Sequence, residues 1–348
     1  MDKFFTSMLV FVPVAVVGYF LHLPALALFI LSALAIVPLA KFIGEATEEL
    51  TVYTGPAVGG FLNATFGNAT ELIIGVLALR SGLIEVVKAS ITGSIIGNLL
   101  LVLGTAILLG GRKRVKQEFN ATAAKASGST LLLAVVALVI PAIFLQTAPD
   151  VGQNIIEELS VFVSIFMIVA YGASLLFSLR THKHLYTQDV AETEAKWTKT
   201  KSILILFVST VAVAFMSEIL VGSIEPLVAS LGWSELFIGV IFVAIIGNAA
   251  EHASAITVAL KNKMDLALQV SIGSATQIAM FVAPALVLVS LFFQNKMSLI
   301  FSTFELASII FSVFIVNSIV EDGESNWFEG VQLLMAYAII AVAFFFHP

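Results

Sequence analysis

Apolar runs long enough to cross a lipid bilayer recur from one end of this 348-residue chain to the other. A membrane-spanning helix needs about 20 mostly apolar residues, and the runs leave no room for a separate soluble domain. Hydrophobic residues make up 59% of the chain and charged residues only 11%, too little polar surface to cover a soluble body of this size. The sequence therefore predicts an all-α polytopic membrane protein, with residues 1–348 forming a single membrane domain.

Charged residues, Gly and Pro divide the apolar sequence into about eleven transmembrane helices. The predicted spans are 4–21, 24–44, 57–80, 84–109, 129–146, 157–179, 201–222, 235–260, 266–293, 299–320 and 328–347.

The basic residues set the orientation of these spans. If the N-terminus is cytoplasmic, fourteen Lys and Arg residues lie on the inner side and only Arg80, Lys88 and Lys296 lie outside. Lys and Arg accumulate in cytoplasmic loops, so the split predicts a multi-pass protein of the plasma membrane with its C-terminus outside. Cysteine is absent, which excludes disulfides and thiolate metal sites.

Two motifs repeat 180 residues apart. Gly67-Asn68-Ala69-Thr70-Glu71 recurs as Gly247-Asn248-Ala249-Ala250-Glu251, and Gly93-Ser94 recurs as Gly273-Ser274. Because an odd number of spans separates the two copies, the second copy enters the membrane inverted. Inverted repeats are a transporter architecture, with the site near the bilayer midplane. Chance identity among small residues is the alternative, and the repeated Glu argues against it.

The repeats give the predicted organisation of the chain. It consists of a leading helix at 1–23, a first five-helix repeat at 24–180, a cytosolic connector at 181–200 and an inverted second repeat at 201–348. The connector is interpreted as a solvated linker, with a cation-sensing regulatory element as the alternative.

The two motif carboxylates predict an ion site. A carboxylate inside a bilayer is costly and usually serves an ion or proton pathway, which points to Glu71 and Glu251. With the side-chain oxygens of Asn68 and Asn248 they form the all-oxygen ligand set that a hard cation such as Ca²⁺ prefers. Burial raises the pKa of a carboxyl group and a bound cation lowers it, so protons and metal compete for the same atoms. A buried Glu that only bonds neighbouring helices is the alternative.

Further polar residues are predicted around this pair. Supporting groups on the following helix of each half are Ser94, Asn98, Ser274 and Gln277. Candidate access or gating residues are Glu45, Glu48, Glu218, Glu225 and His252. Glu305 in the tenth span is interpreted as peripheral.

These segments resemble the calcium/proton exchangers of the cation/Ca²⁺ antiporter superfamily, in a bacterial-type form. The carrying motifs run through residues 44–50, 54–71, 93–98, 247–252 and 273–277. The resemblance implies eleven helices, a pseudo-symmetric repeat pair, Ca²⁺ export coupled to proton entry, and Glu71 and Glu251 as the shared ligands of Ca²⁺ and H⁺. The expected partners are Ca²⁺, protons and the lipid bilayer, with no cofactor and no nucleic acid. Homo-oligomerisation is left open.

Other functions remain as alternatives. A sodium/calcium exchanger is one, although the amides of Asn98 and Gln277 argue against a sodium site. A transporter of another divalent cation such as Mn²⁺ and a cation channel are the others. An intramembrane protease is disfavoured because the chain has no His-Glu-x-x-His motif, and the chain is expected not to be an enzyme.

Overall fold

The computed structural model describes residues 3–182 and 195–347, and this part of the chain is almost entirely helical. The prediction of an all-α polytopic membrane protein is confirmed. The predicted connector at 181–200 falls largely on residues 183–194, which lie outside the described residues.

The described residues of the first half form eight helices, two π-helical segments and one short strand. In chain order they are α1 (Lys3–Met8), α2 (Phe11–Phe20), α3 (Ala25–Phe66), α4 (Ala69–Arg80), α5 (Ile84–Ile96), π1 (Gly97–Val102), α6 (Leu103–Gly111), β1 (Gln117–Glu118), α7 (Ala121–Thr147), α8 (Gln153–Leu176) and π2 (Phe177–Thr181).

The described residues of the second half form shorter helical pieces and one short strand. They are α9 (Lys199–Gly222), α10 (Ile224–Leu231), α11 (Glu235–Phe237), π3 (Ile238–Val243), α12 (Ala244–Gly247), α13 (Ala249–Leu260), α14 (Met264–Gln277), π4 (Ile278–Val282), α15 (Ala283–Ser290), α16 (Thr303–Ile319), β2 (Glu324–Ser325) and α17 (Trp327–Phe346).

Eight stretches of the described helix are long and apolar enough to cross a membrane. They are Lys3–Phe20, Ala25–Gly55, Ile84–Gly111, Ala121–Thr147, Gln153–Thr181, Lys199–Leu231, Met264–Ser290 and Trp327–Phe346. A ninth comes from Glu235–Gly247 and Ala249–Leu260, which meet at a bend of 60°. The count of eleven stays a prediction: the predicted span 57–80 is interrupted after Phe66, and the predicted span 299–320 contains a helix of 17 residues.

Two boundaries differ from the sequence prediction. α3 continues past residue 44 and turns at Gly55, whose φ of 79° and ψ of 171° are not helical. The turn is tight, because a Cβ on Gly59 would lie 2.1 Å from Cγ2 of Thr51. α7 begins at Ala121, eight residues before the predicted start, because the Asn120 side chain accepts a hydrogen bond from the Ala123 amide and caps the helix. The first turns of α7 lie outside the apolar run, so hydropathy placed the start of the span at residue 129.

One end of the molecule, here called the turn face, carries the turn between α4 and α5. Gly82 in this turn has a φ of 82°, and a Cβ there would lie 3.3 Å from Nδ2 of Asn295, in the segment after α15. The neighbouring Lys296 forms an ion pair of 2.8 Å with Glu157 at the start of α8. The turn face therefore joins segments of both halves of the chain.

The residues that follow the predicted connector are attached to α3. The Glu49 carboxylate accepts hydrogen bonds from the backbone amides of Lys196 and Trp197 at 2.8 and 3.0 Å, and the Tyr53 hydroxyl donates to the Trp197 carbonyl. α9 begins two residues later and packs along α3 more extensively than any other pair of elements in the described part. The two longest helical runs of the halves are thus joined side by side.

A short antiparallel sheet, here called the clasp, joins β1 to β2, with Gln117 opposite Ser325. Nζ of Lys116 lies 2.8 Å from Glu118 and 2.9 Å from Glu324. Hydrogen bonds to these two carboxylates raise the pKa of Lys116, and its ammonium group lowers the pKa of Glu118. The clasp connects the loop after α6 with the loop before α17.

Candidate functional site

Both motifs lie at interruptions of a helix. Asn68 separates α3 from α4 with φ −105° and ψ 28°, and Asn248 separates α12 from α13 with φ −95° and ψ 11°. Gly67 keeps helical angles of −57° and −44°, so the departure from helical geometry falls on the Asn. These angles lie near the sparsely populated bridge region, where many active-site residues are found.

The two motif glutamates occupy equivalent places after these breaks. Glu71 is in the first turn of α4, and Glu251 is in the first turn of α13. The partial positive charge of a helix N-terminus favours an acidic side chain there. The Glu71 side chain packs against Gly247, four residues before Glu251, so the structure brings the two motifs together.

A buried network of amides and hydroxyls joins the two halves beside these carboxylates. Asn98 Nδ2 donates to Asn248 Oδ1 at 2.8 Å and to Ser274 Oγ at 3.2 Å. Asn248 Nδ2 in turn donates to Ser94 Oγ and to the Ala244 carbonyl, both at 2.8 Å. Each amide nitrogen thereby uses both of its hydrogens. Three predicted supporting residues, Ser94, Asn98 and Ser274, belong to this network.

The network leaves a set of buried oxygens that accept but do not donate. Both carboxylate oxygens of Glu71, Oε2 of Glu251, and the Oδ1 atoms of Asn68 and Asn98 are sealed from solvent, without a hydrogen-bond partner among the described residues. A buried polar group without a partner is unfavourable and calls for an explanation such as a bound ion. The set contains oxygens only, the ligand type of a hard cation, and has a formal charge of −2 when both carboxyl groups are ionised.

The close approach of the motifs depends on glycine. A Cβ on Gly247 would lie 3.1 Å from Cγ and 3.3 Å from Oε1 of Glu71, so the carboxylate of one motif rests on the glycine of the other. α5 approaches π3 in the same way, because a Cβ on Gly93 would lie 2.0 Å from the Val240 carbonyl oxygen. The small residues that repeat in the sequence therefore allow backbone and side chain to meet across the halves.

A cavity of about 10 Å³ lies beside Glu71. Its polar lining comes from Glu71, Ser90 and Ser94, and the rest of the lining is apolar apart from Gly247. The apolar lining residues are Ile74, Ile91, Val243, Ile278, Val282 and Leu286.

The other predicted residues lie around this centre. Gln277 ends α14, three residues after Ser274, and is half-buried, as is His252 next to Glu251. Within the described residues there is no group of three or more His, Cys, Asp or Glu side chains that would hold a metal ion. Any cation at this site would therefore depend on two carboxylates and on neutral oxygens.

The candidate access residues lie on α3, α9 and α10. Glu45 is half-buried and lies 3.9 Å from the ammonium group of Lys41, while Glu48 is exposed. Glu218 near the end of α9 and Glu225 in the first turn of α10 are also exposed. Their role in gating stays a prediction.

Glu305 is buried rather than peripheral, in contrast to the sequence interpretation. It is 1% exposed, and its Oε1 accepts a hydrogen bond of 3.0 Å from Oγ1 of Thr92 on α5. Its Oε2 accepts from the backbone amide of Ser302, whose side chain caps α16 in return. Glu305 thus anchors the helix that carries Ser94 and Asn98. The Ser-x-x-Glu spacing signalled the cap, but nothing in the sequence signalled Thr92 as the partner.

The chain was compared with known proteins. The family model described as sodium/calcium exchanger protein matches residues 24–180 and 201–346. The "Ca(2+)/H(+) antiporter" of Synechocystis sp. is 50% identical, covering 100% of this chain and 98% of that protein. The "Ca(2+)/H(+) antiporter" of Aphanothece halophytica is 48% identical, covering 100% and 97%.

The fold has a solved relative as well. The structure of native YfkE superposes with a TM-score of 0.87 at 44% identity, covering 99% of this chain and 100% of that one. The resemblance seen in the motifs is confirmed by these comparisons. The broken helices, the contact between the two motifs and the matches along both halves lead to one conclusion: the chain belongs to the sodium/calcium exchanger protein family.

Proposed function

We propose that this chain is a secondary active antiporter that exports Ca²⁺ in exchange for protons. The observation that carries the proposal is the set of buried oxygens without partners on Asn68, Glu71, Asn98 and Glu251. Such a set suits a hard divalent cation. Relatives named Ca²⁺/H⁺ antiporters at 48% and 50% identity support the same reading.

Coupling follows from competition for the two carboxyl groups. One Ca²⁺ or two protons neutralise the charge of −2, and an empty site that keeps this charge within the bilayer is costly. Glu71 and Glu251 therefore bind Ca²⁺ in one half of the cycle and H⁺ in the other, with Asn68 and Asn248 beside them. Asn248 Oδ1 accepts one hydrogen bond from Asn98, and its second lone pair remains for a cation.

Alternating access is proposed to use the predicted repeats, 24–180 and 201–348. α3 and α9 slide as a pair against a core that holds α4, α5, α13 and α14. The extensive packing of α3 along α9 supports their movement as a pair. Glu45, Glu48, Glu218 and Glu225 attract the cation toward the entrances.

The proposed location is the plasma membrane, with the N-terminus in the cytoplasm and the C-terminus outside. The excess of Lys and Arg on the predicted inner side supports this orientation. In it the turn face is the outer face, because the predicted outer residues Arg80 and Lys88 flank the turn at Gly82.

A sodium-coupled exchanger is the second candidate, since the matching family model is described as sodium/calcium exchanger protein. The amide of Asn98 disfavours it, because both of its hydrogens are donated to Asn248 and Ser274 and its remaining oxygen is neutral.

The test is Ca²⁺ flux in proteoliposomes under an imposed pH gradient, first without Na⁺ and then with it. We expect uphill Ca²⁺ movement driven by protons alone, and its loss in Glu71→Gln and Glu251→Gln while both variants keep the thermal unfolding of the native protein. Flux that requires Na⁺ would support the sodium-coupled exchanger. Flux that runs only downhill would indicate a channel, and full transport by both variants would remove the proposed site.

A further inference from the structure

A cleft of about 470 Å³ opens on the turn face, beside the ion pair of Lys296 and Glu157. It is here called the α8 cleft, because it lies between the N-terminal part of α8 and the segment after α15, residues 291–302. Its volume falls within the range of sites that hold small ligands. The proposed Ca²⁺ ligands lie in the two motifs and in π1, so the cleft is a separate feature. Its polar lining consists of Asn154, Glu157, Glu158 and Lys296.

These side chains carry one positive and two negative charges. Nζ of Lys296 lies 2.8 Å from Oε2 of Glu157, which uses one of the three hydrogens of the ammonium group. Lys296 is 43% exposed, so its other two hydrogens remain for a ligand or for water. Glu158 and Asn154 are exposed, and their side chains have no hydrogen bond or ion pair with another described residue. The cleft therefore offers a free carboxylate and a partly free ammonium group.

The charges indicate which chemical groups the cleft can hold. Lys296 neutralises Glu157, and Glu158 leaves a net charge of −1 that attracts a cationic group. An ammonium group suits this place, because it can donate to the Glu158 carboxylate and to Oδ1 of Asn154. The remaining hydrogens of Lys296 suit an anionic acceptor such as a phosphate oxygen. A ligand that fits both ends carries an ammonium group and a phosphate group.

The apolar part of the cleft leads into the exposed side of α8. Phe162 lies four residues after Glu158 on the same side of the helix, about 6 Å further along its axis. It lines the cleft together with Leu291 and is 58% exposed. The exposed side continues with Phe166 and Val169, on a stretch of helix long and apolar enough to cross a membrane. The cleft thus has a polar end on the turn face and an apolar end on the surface that faces lipid.

We propose that the α8 cleft binds a phospholipid whose headgroup carries a primary ammonium group, in the leaflet on the turn face. The ammonium group of the lipid donates to Glu158 and Asn154, its phosphate accepts from Lys296, and one acyl chain lies along Phe162 and Leu291. The headgroup then has partners at both of its charges. The bound lipid joins α8 to the segment after α15. This inference is independent of the transported ion and goes beyond the proposed function.

The cleft should distinguish between lipid headgroups. Phosphatidylethanolamine has the ammonium and phosphate groups that the lining residues match. Phosphatidylcholine has the same net charge, but its nitrogen is fully methylated and donates no hydrogen bond. Phosphatidylglycerol carries a negative charge near Glu158 without an ammonium group to offset it, and like charges repel. The preference among these lipids is therefore the signature of the site.

The test measures binding of the dioleoyl forms of these lipids to the full-length protein in detergent. Native mass spectrometry gives the Kd, and the rise in melting temperature gives a second measure, because a ligand of the folded state stabilises it. Glu158→Met removes the carboxylate at similar side-chain length. The matched control is Asp150→Met, which removes an exposed acid just before α8 that does not line the cleft. Thermal unfolding without added lipid establishes that each variant is folded.

We expect the native protein to bind phosphatidylethanolamine about fivefold more tightly than phosphatidylcholine, the effect of one net hydrogen bond, and to bind phosphatidylglycerol most weakly. The preference for phosphatidylethanolamine over phosphatidylcholine should vanish in Glu158→Met and persist in Asp150→Met. Equal affinity of the native protein for these two lipids, tighter binding of phosphatidylglycerol, or an equal change of preference in the two variants would overturn the proposal. The readout is lipid binding and not Ca²⁺ transport, so failure of the proposed function is a separate result.

Discussion

Asn98 in π1 donates a hydrogen bond of 2.8 Å to Asn248, the residue at which the opposite motif interrupts its helix. The bond joins residues 150 positions apart and fixes the amide orientation on both sides, because each nitrogen donates twice. The oxygen of Asn98 is then left for another partner. One contact between the halves therefore decides which atoms face the site.

Replacing Asn98 should damage both stability and transport. Asn98→Ala leaves Asn248 Oδ1 and Ser274 Oγ without their donor, and an unsatisfied buried polar group costs about 1–3 kcal/mol. We expect a lower free energy of unfolding by about this amount and at least a tenfold loss of Ca²⁺ transport, each decade corresponding to about 1.4 kcal/mol. The control is Asn317→Ala, which removes an amide side chain on α16, where Asn317 packs against Gly128. Normal transport by Asn98→Ala would contradict the prediction.

Gly247→Ala should weaken Ca²⁺ binding without unfolding the protein. The new methyl group would lie 3.1 to 3.3 Å from the Glu71 side chain, so the carboxylate has to move by a few tenths of an ångström. Small displacements of a ligand reduce function strongly, and we expect the KM for Ca²⁺ to rise about tenfold. The control is Gly172→Ala on α8, where no atom lies within 4 Å of the added carbon. Equal KM values for the two variants would refute the role of Gly247.

Glu305 should matter for stability through its two acceptor oxygens. Glu305→Leu removes the partners of the Thr92 hydroxyl and the Ser302 amide, and we expect it to lower the free energy of unfolding by about 1–3 kcal/mol. Glu305→Gln keeps one acceptor oxygen, so its free energy of unfolding should fall by less than that of Glu305→Leu. Thermal unfolding of the purified variants measures the difference. A Glu305→Leu protein as stable as the native one would show that the Thr92 bond is dispensable.

The clasp should depend on pH in a defined window. Lys116 lowers the pKa of Glu118 below its ordinary value of 4.5, so the stability from this pair is complete above 4.5 and is lost as the pH falls through the lowered pKa. The pKa of Lys116 is raised above its ordinary 10.5, so its contribution is complete below 10.5 and is lost as the pH rises through the raised value.

Lys116→Met tests this window. Its melting temperature should lie slightly below that of the native protein from pH 5 to pH 10, because exposed ion pairs contribute little. The difference should vanish below the lowered pKa of Glu118. Lys125→Met, which removes a Lys from the following helix, is the control. If the melting temperatures of Lys116→Met and the native protein differed by the same amount at every pH, the ion pairs would be excluded as the cause.

The two motifs that meet in the structure could be found from the sequence because their pattern is local. Carboxylates within apolar sequence are rare, and their repetition with Asn68 and Asn248 singled out both motifs, although the predicted spans 57–80 and 235–260 ran without interruption through both helix breaks. Which residue departs from helical angles was not predictable, because Gly and Asn both tolerate such conformations.

Long-range partners explain what the sequence did not predict. Thr92 and Glu305 are 213 positions apart, and neither residue type predicts the other as its hydrogen-bond partner. In the sequence, Ser90 is one serine in an apolar helix. Only the structure shows that it lines the same cavity as Glu71 and Leu286. Hydropathy likewise misplaced the start of α7, where the Asn120 cap rather than apolar residues decides the boundary.

The clasp also bears on the order in which the chain matures. β1 ends at Glu118, but its partner strand begins at Glu324, so most of the polypeptide must leave the ribosome before the two meet. Until then the edge of β1 and the buried side chain of Gln117 have no covering strand. A chain truncated before β2 therefore keeps an unpaired strand edge on its loop after α6.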